Sequence, residues 1–344
     1  MAAVTLQDVA RRAGVSLATA SRVLNGSERI PGREISERVR AAAVELGYVA
    51  NVPAQALARA STFLIGLIVR DISDPYFSLI THGVQVAARE RGRQVLVANT
   101  GMDPAAEHDA VLAFLAHRAE AIIVVGSRWE DGRDRAVRDE LARHARQGGR
   151  IAVVGQSLPF GRAVAPENRA GAASLAKALV VQGHRGFAVL SGPEALLTAR
   201  DRTEGFVTAL AEQGIEPVEI VAGGFSRDGG YEAAKQLATI LDLEPDRPLC
   251  VFAVNDVMAI GAIAAFRDLG FRVPDDVQVA GFDDIPTLRD FVPALTTVRL
   301  PLDEIGEQAV ALALADDDDT PAEVSVAAEV VLRDSTALAP HLPG

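Results

Sequence analysis

The chain has 344 residues, enough for more than one domain, and 49% of them are hydrophobic while 23% are charged. This balance is typical of a soluble globular protein. No apolar run approaches the length of a membrane span, and Met1 leads into an amphipathic segment without the apolar core of a signal peptide. We therefore expect a cytoplasmic protein that has no membrane partner.

The net charge of −12 is unevenly distributed along the chain. Residues 1–60 contain eight arginines and five acidic residues, a net charge of +3, so the remainder carries −15. A basic segment of this kind is typical of the part of a protein that contacts nucleic-acid phosphates. The single cysteine, Cys250, excludes an internal disulfide, and its apolar surroundings in the sequence predict that it is buried.

Residues 5–26 are predicted to form two short helices joined by a tight turn. Thr5 and Asp8 have the spacing of a capping box at the start of the first helix. Gly14 provides the left-handed backbone that the turn needs, and Ser16 can cap the second helix. The residues on the outward face of the second helix are Leu17, Ala18, Thr19, Ser21, Arg22 and Asn25. This pattern indicates a helix-turn-helix, with an ordinary helical hairpin as the alternative.

The stretch VTLQDVARRAGVSLATASRVLNG resembles the N-terminal segment of the lactose-repressor (LacI/GalR) family of bacterial transcription regulators. The match is long and ungapped, and the resemblance extends over nearly the whole chain. It implies a helix-turn-helix DNA-binding domain at residues 1–50 and a hinge helix or linker at 51–61. It also implies a two-lobed domain at 62–344 that binds an effector, forms a homodimer and resembles type I periplasmic sugar-binding proteins.

A third helix is predicted at residues 33–46, because apolar side chains recur there at helical spacing and Gly47 can end it. The family usually has a hydroxyl residue at the start of this helix. Here the helix follows Pro31 and Gly32, so a side-chain cap is not expected.

The DNA contacts are assigned partly from chemistry and partly from the resemblance. Arg22 can donate two hydrogen bonds to guanine O6 and N7 in the major groove, and the small polar side chains around it can hold phosphates. The resemblance places Leu17 and Ala18 at base-reading positions and Leu57 where a leucine enters the minor groove and bends the operator. Without the family resemblance, residues 51–59 would be interpreted as a linker. The expected DNA contacts are Thr5, Leu6, Ser16, Leu17, Ala18, Thr19, Ser21, Arg22, Asn25, Asn51, Ala54 and Leu57.

From Phe63 onward, apolar strand-like runs alternate with helical stretches at nearly constant spacing. The runs begin near Phe63, Gln94, Ala121, Ile151, Phe187, Val218, Leu249 and Val277. Eight such units in two groups of four predict two doubly wound parallel-sheet lobes, with helices on both faces of each sheet. We expect the chain to cross between the lobes near 157–163 and near 290–293, and residues 329–333 to form a final strand.

Ligands of parallel sheets bind where the carboxyl ends of the strands meet, so candidate effector contacts are sought there. The candidates are Asp71, Tyr76, Phe77, Arg202, Phe225, Asn255 and Asp283. The resemblance places Arg202 at the family's ligand-clamping arginine and Phe225 where several members stack a ring on the ligand. An arginine and a carboxylate beside a ring suit vicinal hydroxyls, so a sugar is the expected effector, with a purine or nucleoside as the alternative. Asp256 is expected to cap the following helix rather than to bind ligand.

Motifs for other chemistry are absent from the sequence. It contains no G-x-G-x-x-G after a strand, no G-x-x-x-x-G-K-[ST] and no G-x-S-x-G, and its six histidines form no i, i+4 pair. We therefore expect no cofactor, no metal and no catalysis. The sequence predicts a repressor that binds a palindromic operator as a homodimer. A solute-binding protein for sugar transport and an enzyme are the alternatives, and the basic N-terminal helices count against the first of them.

Overall fold

The computed structural model describes residues 4–25, 31–48, 63–241, 249–316 and 320–337, and of Asn25 only the backbone. The chain divides into two compact units, and the larger one begins at Leu64. Within the described residues, the N-terminal unit contains three helices, α1 (Leu6–Ala13), α2 (Leu17–Asn25) and α3 (Arg33–Glu45).

Local hydrogen bonds determine where α1 and α2 begin and end. The Asp8 backbone N–H donates to Thr5 Oγ1, and the Thr5 backbone N–H donates to the Asp8 carboxylate. This is the predicted capping box. Gly14, at φ 66°, ends α1. Ser16 Oγ accepts from the Thr19 backbone N–H at 3.1 Å and so caps α2. The predicted helix–turn–helix arrangement is therefore confirmed.

The helices of the N-terminal unit enclose a small core of mostly short apolar side chains. Its buried members are Val9, Ala10, Ala13, Ala20, Val23, Val39, Ala42 and Ala43. α3 has no side-chain cap at Gly32, as its Pro-Gly entry predicts, and the Ser36 hydroxyl donates to the Pro31 carbonyl at 3.0 Å instead. α3 ends one residue earlier than predicted, since Leu46 is its C-cap and Gly47 follows at φ 63°.

The larger unit contains two parallel sheets, one in each lobe. In the described residues, the first sheet has six strands in the order β11-β5-β4-β3-β1-β2 and the second has four in the order β7-β6-β8-β9. The strands of the first sheet are β1 (Leu64–Val69), β2 (Gln94–Asn99), β3 (Ala121–Val125), β4 (Arg150–Val154), β5 (Arg162–Pro166) and β11 (Glu323–Val326). The strands of the second sheet are β6 (Phe187–Ser191), β7 (Glu219–Ala222), β8 (Leu249–Ala253) and β9 (Val277–Ala280). Each of the eight predicted strand starts lies within one residue of the first residue of an observed strand.

Every residue of β3, β8 and β9 is buried, because helices cover both faces of the sheets. The first lobe carries α4 (Pro75–Glu90), α5 (Pro104–Ala116), α6 (Arg135–Arg146) and α11 (Leu302–Leu314). The second lobe carries α7 (Asn168–Gln182), α8 (Leu197–Ala211), α9 (Arg227–Leu241) and α10 (Asp256–Asp268). Short 3₁₀ turns occupy Pro286–Arg289 and Asp334–Thr336.

The predicted crossing points between the lobes are wrong. Residues 157–163 lead from β4 to β5 inside the first sheet, and residues 290–293 lie in the second lobe before β10 (Thr297–Arg299). Among the described residues the chain instead crosses after β5, after β10, and between β11 and β12 (Glu329–Val331). β12 pairs antiparallel with β10, so the predicted final strand is present. The short strand β5 was not identified because it lacks a long apolar run.

Helices α4 and α11 cross at two glycines, Gly83 and Gly306. A Cβ added at Gly83 would lie 2.0 Å from the carbonyl oxygen of Asp303, and one at Gly306 would lie 2.2 Å from that of Ile80. The two backbones can therefore approach only because both positions lack a side chain. This contact holds α4 on the first sheet, and the N-terminus of α4 contributes to the site described below.

Cys250 lies in β8 and is fully buried, as predicted. No helix in the described part of the chain has the length and apolar character needed to cross a membrane. The same residues contain no group of three or more His, Cys, Asp or Glu side chains arranged to hold a metal ion.

Candidate functional site

A cavity of about 390 Å³ lies between the two lobes, beside the carboxyl ends of their strands. This volume is within the range of small-molecule sites, and the position is the one expected for parallel sheets. The seven predicted effector residues all line it: Asp71, Tyr76, Phe77, Arg202, Phe225, Asn255 and Asp283. The fold thus brings together side chains from five separate strand-to-helix junctions.

Arg202, on α8, is the polar centre of the second-lobe wall. Its three guanidinium nitrogens donate to Asn168 Oδ1 at 2.8 Å, to the Val254 carbonyl at 2.9 Å and to Asp283 Oδ1 at 2.8 Å. The guanidinium carbon also lies 3.9 Å from the centre of the Phe282 ring. Arg202 is 2% exposed. These contacts hold its guanidinium in one orientation and leave the remaining N–H groups for a ligand.

Asp283 has a strained backbone at the cavity wall. Its φ of 122° lies in the region that favours glycine, and the Val298 carbonyl accepts its backbone N–H at 2.8 Å. Burial raises the pKa of Asp283 to about 7, although the nearby Arg202 guanidinium acts to lower it. Asp283 Oδ2 has no hydrogen-bond partner among the described residues, so this oxygen can accept from a ligand hydroxyl.

The helix cap at the start of α10 is Asn255 and not Asp256. Asn255 Oδ1 accepts from the Met258 backbone N–H at 2.8 Å, which leaves the side-chain amide of Asn255 for a ligand. Asp256 is fully buried and accepts from the Ile285 backbone N–H at 3.0 Å and from the Thr297 hydroxyl at 2.6 Å. Burial raises its pKa to about 8. The expectation that Asp256 caps the helix is therefore wrong, because the loop after β9 covers it.

The first-lobe wall includes the loop between β1 and α4. Asp74 caps α4, since its Oδ1 accepts from the Tyr76 backbone N–H at 2.9 Å, and burial raises the pKa of Asp74. Asp71 Oδ1 accepts from both the backbone N–H and the hydroxyl of Ser73. The rings of Tyr76 and Phe77 meet edge to face with centres 5.0 Å apart. This loop offers the cavity an aromatic surface beside two carboxylates.

Phe225 follows β7 and provides the apolar surface of the opposite wall. Its ring lies close to Gly192, where an added Cβ would be 2.7 Å from a ring carbon. The glycine therefore makes room for the ring at the edge of the cavity. Aromatic side chains on both lobes can contact the apolar face of one bound molecule.

Sequence analysis missed Arg70, which follows β1 and also lines the cavity. Arg70 is 6% exposed, and its Nη2 donates to the Ser127 carbonyl. Its guanidinium carbon lies 5.5 Å from the centre of the Trp129 ring. Burial lowers the pKa of Arg70 to about 10. The signal for this residue was a charged side chain directly after an apolar strand.

In the N-terminal unit, the outer face of α2 presents the predicted base-reading residues. Leu17 is 50% exposed, and Ala18 and Arg22 are exposed as well. Arg22 forms no hydrogen bond or ion pair with any described residue, so its guanidinium is available for a base. Ser21 is half-buried, and the hydroxyls of Ser16 and Thr19 lie 2.8 Å apart.

The remaining predicted DNA contacts have different surroundings. Leu6 is half-buried against the core of the N-terminal unit, and the Thr5 hydroxyl lies 2.6 Å from an Asp8 carboxylate oxygen. The side chain of Asn25, together with Asn51, Ala54, Leu57 and the whole predicted hinge at 51–61, lies outside the described residues.

Comparison with known proteins matches the chain to two family models. Residues 5–51 match the model for bacterial regulatory proteins of the lacI family, and residues 176–336 match a periplasmic binding protein-like domain. The transcriptional regulator GalR of Escherichia coli K12 is 34% identical over 98% of this chain and 97% of GalR.

Solved structures match over nearly the same length. A crystal structure of the Lac repressor dimer bound to operator and the anti-inducer ONPF superposes with a TM-score of 0.84 at 27% identity, covering 98% of this chain and 100% of that one. The complex of the regulator CelR with cellobiose gives a TM-score of 0.69 at 26% identity, covering 96% of this chain and 99% of that one. The helix-turn-helix, the two parallel lobes and these matches together show that the chain belongs to the LacI family of bacterial transcriptional regulators.

Proposed function

We propose that this regulator is a homodimeric repressor that binds a palindromic operator and responds to a sugar bound between its lobes. The observation that carries the proposal is the meeting of the seven predicted effector residues around one cavity. Parallel sheets bring the carboxyl ends of their strands to one edge, and here that edge carries the mixture of aromatic and polar side chains that a small-molecule site needs.

The chemistry of the cavity favours a sugar. Phe225 and Tyr76 provide aromatic surface for the C–H face of a pyranose ring, while Asp283 Oδ2 and the Asn255 amide provide an acceptor and a donor for its hydroxyls. The cellobiose in the CelR complex supports this reading. A purine would stack equally well on Phe225, but it would use fewer of the hydroxyl-matching groups.

Operator binding is proposed to occur through α2. One recognition helix reads a half-site, so a two-fold dimer reads a palindrome. The Lac repressor structure, a dimer on its operator, supports the same assembly for this chain. The exposed apolar side chains of the edge strands, Leu96 on β2 and Ile220 on β7, each 42% exposed, are suitable for burial against a second copy.

The proposed regulation is a coupling between the cavity and the DNA-binding segments. A ligand that contacts both lobes stabilises one arrangement of the lobes over another, and it can shift the protein only by its difference in affinity for the two. The three connections between the lobes are the segments that adjust. The arrangement of lobes in the dimer then decides whether the segments at 51–61 can pair over the operator centre.

We further propose that the protein acts in the cytoplasm, where its DNA target is, and that it catalyses no reaction. Support for the second statement comes from the cavity itself. No histidine or cysteine lines it among the described residues, and its buried carboxylate Asp283 is paired with Arg202. The Ser73 hydroxyl donates to Asp71, but no histidine of the described residues lines the cavity to complete a catalytic triad.

The test has two stages with the full chain. Selection from a pool of randomised duplexes is expected to enrich an inverted repeat, and fluorescence anisotropy on that repeat is expected to change when a binding sugar is added. Failure to enrich any duplex would contradict operator recognition. An enriched operator whose affinity responds to nucleobases and to no sugar would contradict the sugar assignment alone.

A further inference from the structure

We propose that the effector carries an anionic group, a carboxylate or a phosphate, that pairs with Arg70 on the first-lobe wall of the cavity. The effector is then an acidic sugar rather than a neutral one. This inference rests on the proposed function, because it names the chemical class of the sugar that the same cavity binds.

Arg70 is a buried cation without a carboxylate partner. It is 6% exposed, and no Asp or Glu oxygen of the described residues lies within 4.0 Å of its guanidinium nitrogens. Its one hydrogen bond within those residues is the donation to the Ser127 carbonyl. A buried charge is costly unless it is paired, so the absence of a partner inside the protein indicates that one comes from outside.

Two other arginines that are as buried as Arg70 each have a carboxylate partner. Arg202, at 2% exposed, is paired with Asp283 at 2.8 Å. Arg128, at 4% exposed, lies 2.8 Å from a Glu107 carboxylate oxygen. Arg202 and Arg128 each have a carboxylate partner within the protein. Arg70, which faces the cavity from the first lobe, has no such partner among the described residues.

The acidic residues behind Arg70 are already engaged by other arginines. Asp134 is fully buried between Arg128 at 3.6 Å and Arg138 at 3.4 Å, and Glu107 forms an ion pair with Arg128 at 2.8 Å. After burial, the nearby Arg128 guanidinium also lowers the pKa of Arg70, while the charges of Glu107 and Asp134 act to raise it. Neither Glu107 nor Asp134 lies within 4.0 Å of the Arg70 guanidinium nitrogens, so Arg70 has no direct anionic partner on this side.

The acidic side chains on the cavity wall form no ion pair with Arg70 either, since none of their oxygens lies within 4.0 Å of its guanidinium nitrogens. Asp71 accepts from Ser73 and Asp74 accepts from Tyr76, so each carboxylate is held within its own turn at the start of α4. Asp283 belongs to the opposite wall and to Arg202.

The position of Arg70 is fixed in advance of ligand binding. Gly126, at φ 134°, lies beside it, and an added Cβ there would be 2.8 Å from Arg70 Nε. On another side, the Trp129 ring lies under the guanidinium, and Arg133 lies 4.1 Å from the same ring. A guanidinium held in this way can form two parallel hydrogen bonds to a carboxylate or a phosphate.

The test compares acidic sugars with their neutral parents on the full-length protein. The pairs are D-glucuronate and D-glucose 6-phosphate against D-glucose, and D-galacturonate against D-galactose, with inorganic phosphate as a probe for the anion alone. Calorimetric titration and the shift in Tm are measured for each. An acidic member is expected to bind more tightly than its parent, and the uronates and the sugar phosphate distinguish a carboxylate from a phosphate.

Three variants show whether Arg70 is responsible. Arg70→Met keeps the apolar stem and is expected to lose about tenfold to a hundredfold in affinity for the acid, while Arg70→Lys keeps the charge and part of the affinity. Arg135→Met is the control, since Arg135 lies on α6 in the same lobe, is exposed beside Asp139 and does not line the cavity. This control is expected to bind the acid nearly as the wild type does. The Tm without ligand and the binding of an operator report whether each variant is folded.

The outcomes separate this inference from the proposed function. If neutral sugars bind as tightly as acidic ones and alter operator affinity, the inference is wrong and the sugar-responsive regulator stands. Equal losses in Arg70→Met and Arg135→Met would also overturn it. If no sugar of either kind changes the Tm or the operator affinity, the proposed function fails together with the inference.

Discussion

Arg202 and Asp283 lie 81 residues apart in the chain and meet as an ion pair of 2.8 Å at the cavity wall. Both side chains are buried, and Asp283 keeps an unfavourable φ of 122° to make the contact. A strained backbone persists only where the surroundings hold it, and such positions are concentrated at ligand sites. The pair therefore joins the loop after β9, which carries Asp283, to helix α8, which carries Arg202.

Asp283→Asn is expected to abolish the rise in Tm caused by an effector while operator binding without ligand persists. The amide fills the same volume but removes the charge, so Arg202 loses its ionic partner and the ligand loses a strong acceptor. Thermal unfolding with and without the effector measures this. Asp228→Asn, at an exposed carboxylate, is the control, and an effector response retained in Asp283→Asn would refute the assignment.

Arg22→Ala is expected to weaken binding to the specific operator by about 1–3 kcal/mol while weak binding to random duplexes changes little. The reason is that Arg22 is exposed on α2 and forms no hydrogen bond or ion pair with other described residues. Anisotropy titrations on operator and random duplexes measure the difference. Arg33→Ala, which removes an exposed arginine of α3, is the control. Equal losses on both duplexes would show that Arg22 contacts phosphates rather than bases.

Leu57→Ala is expected to reduce operator affinity and operator bending without changing the effector-induced shift in Tm. This residue lies outside the described residues, and the prediction depends on the family's apolar wedge, which unstacks a base step and bends the duplex. Circular-permutation gel shifts measure the bend. An operator that is straight in the wild-type complex would identify residues 51–61 as a plain linker.

Asp256→Asn is expected to flatten the dependence of stability on pH. Burial raises the pKa of Asp256 from its ordinary value of 3.8 to about 8, so the folded protein holds a proton that the unfolded chain releases between these values. The free energy of unfolding should then fall as the pH rises from about 4 to about 8, by up to about 1.4 kcal/mol per pH unit for this group. Asp283, whose pKa is raised to about 7, contributes in the same direction.

Urea unfolding at several pH values measures this slope. Asp256→Asn should be more stable than the wild type near pH 8 and similar to it near pH 4, because the amide is neutral throughout. The exposed Asp228→Asn should retain the wild-type slope. A slope unchanged by Asp256→Asn would mean that Asp256 does not hold the proton.

Leu96→Arg is expected to weaken the dimer and, with it, the affinity for a palindromic operator. Leu96 is 42% exposed on the edge strand β2, and a charge placed there would be desolvated in an interface. Sedimentation velocity measures the monomer–dimer equilibrium. Val181→Arg, at an 87% exposed residue of α7, is the control. A dimer unaffected by Leu96→Arg would place the interface elsewhere.

The helix ends and strand starts of this protein depend on residues that are close together in the chain, so they can be predicted from the sequence. The capping box of Thr5 and Asp8 depends on two residues three positions apart, and the helix predicted at 33–46 is observed at Arg33–Glu45. Strand starts follow from apolar runs in the same way. Of the effector candidates, Asp71, Asn255 and Asp283 follow predicted strands directly, and parallel sheets gather such ends on one side. Arg202 and Phe225 were assigned from the family resemblance.

Tertiary structure alone decided which of these polar groups are buried, paired or free. Asn255 and Asp256 are adjacent and both suit a helix start, but Asp256 is the buried one because Ile285 and Thr297 approach it from 29 and 41 residues away. The sequence shows only that Arg70 follows a strand. The structure shows that the nearby carboxylates of Glu107 and Asp134 pair with Arg128 instead. The crossing points between the lobes likewise depend on β5 pairing with β4 and β11. Burial and charge pairing are set by residues distant in the chain, so no local pattern carries them.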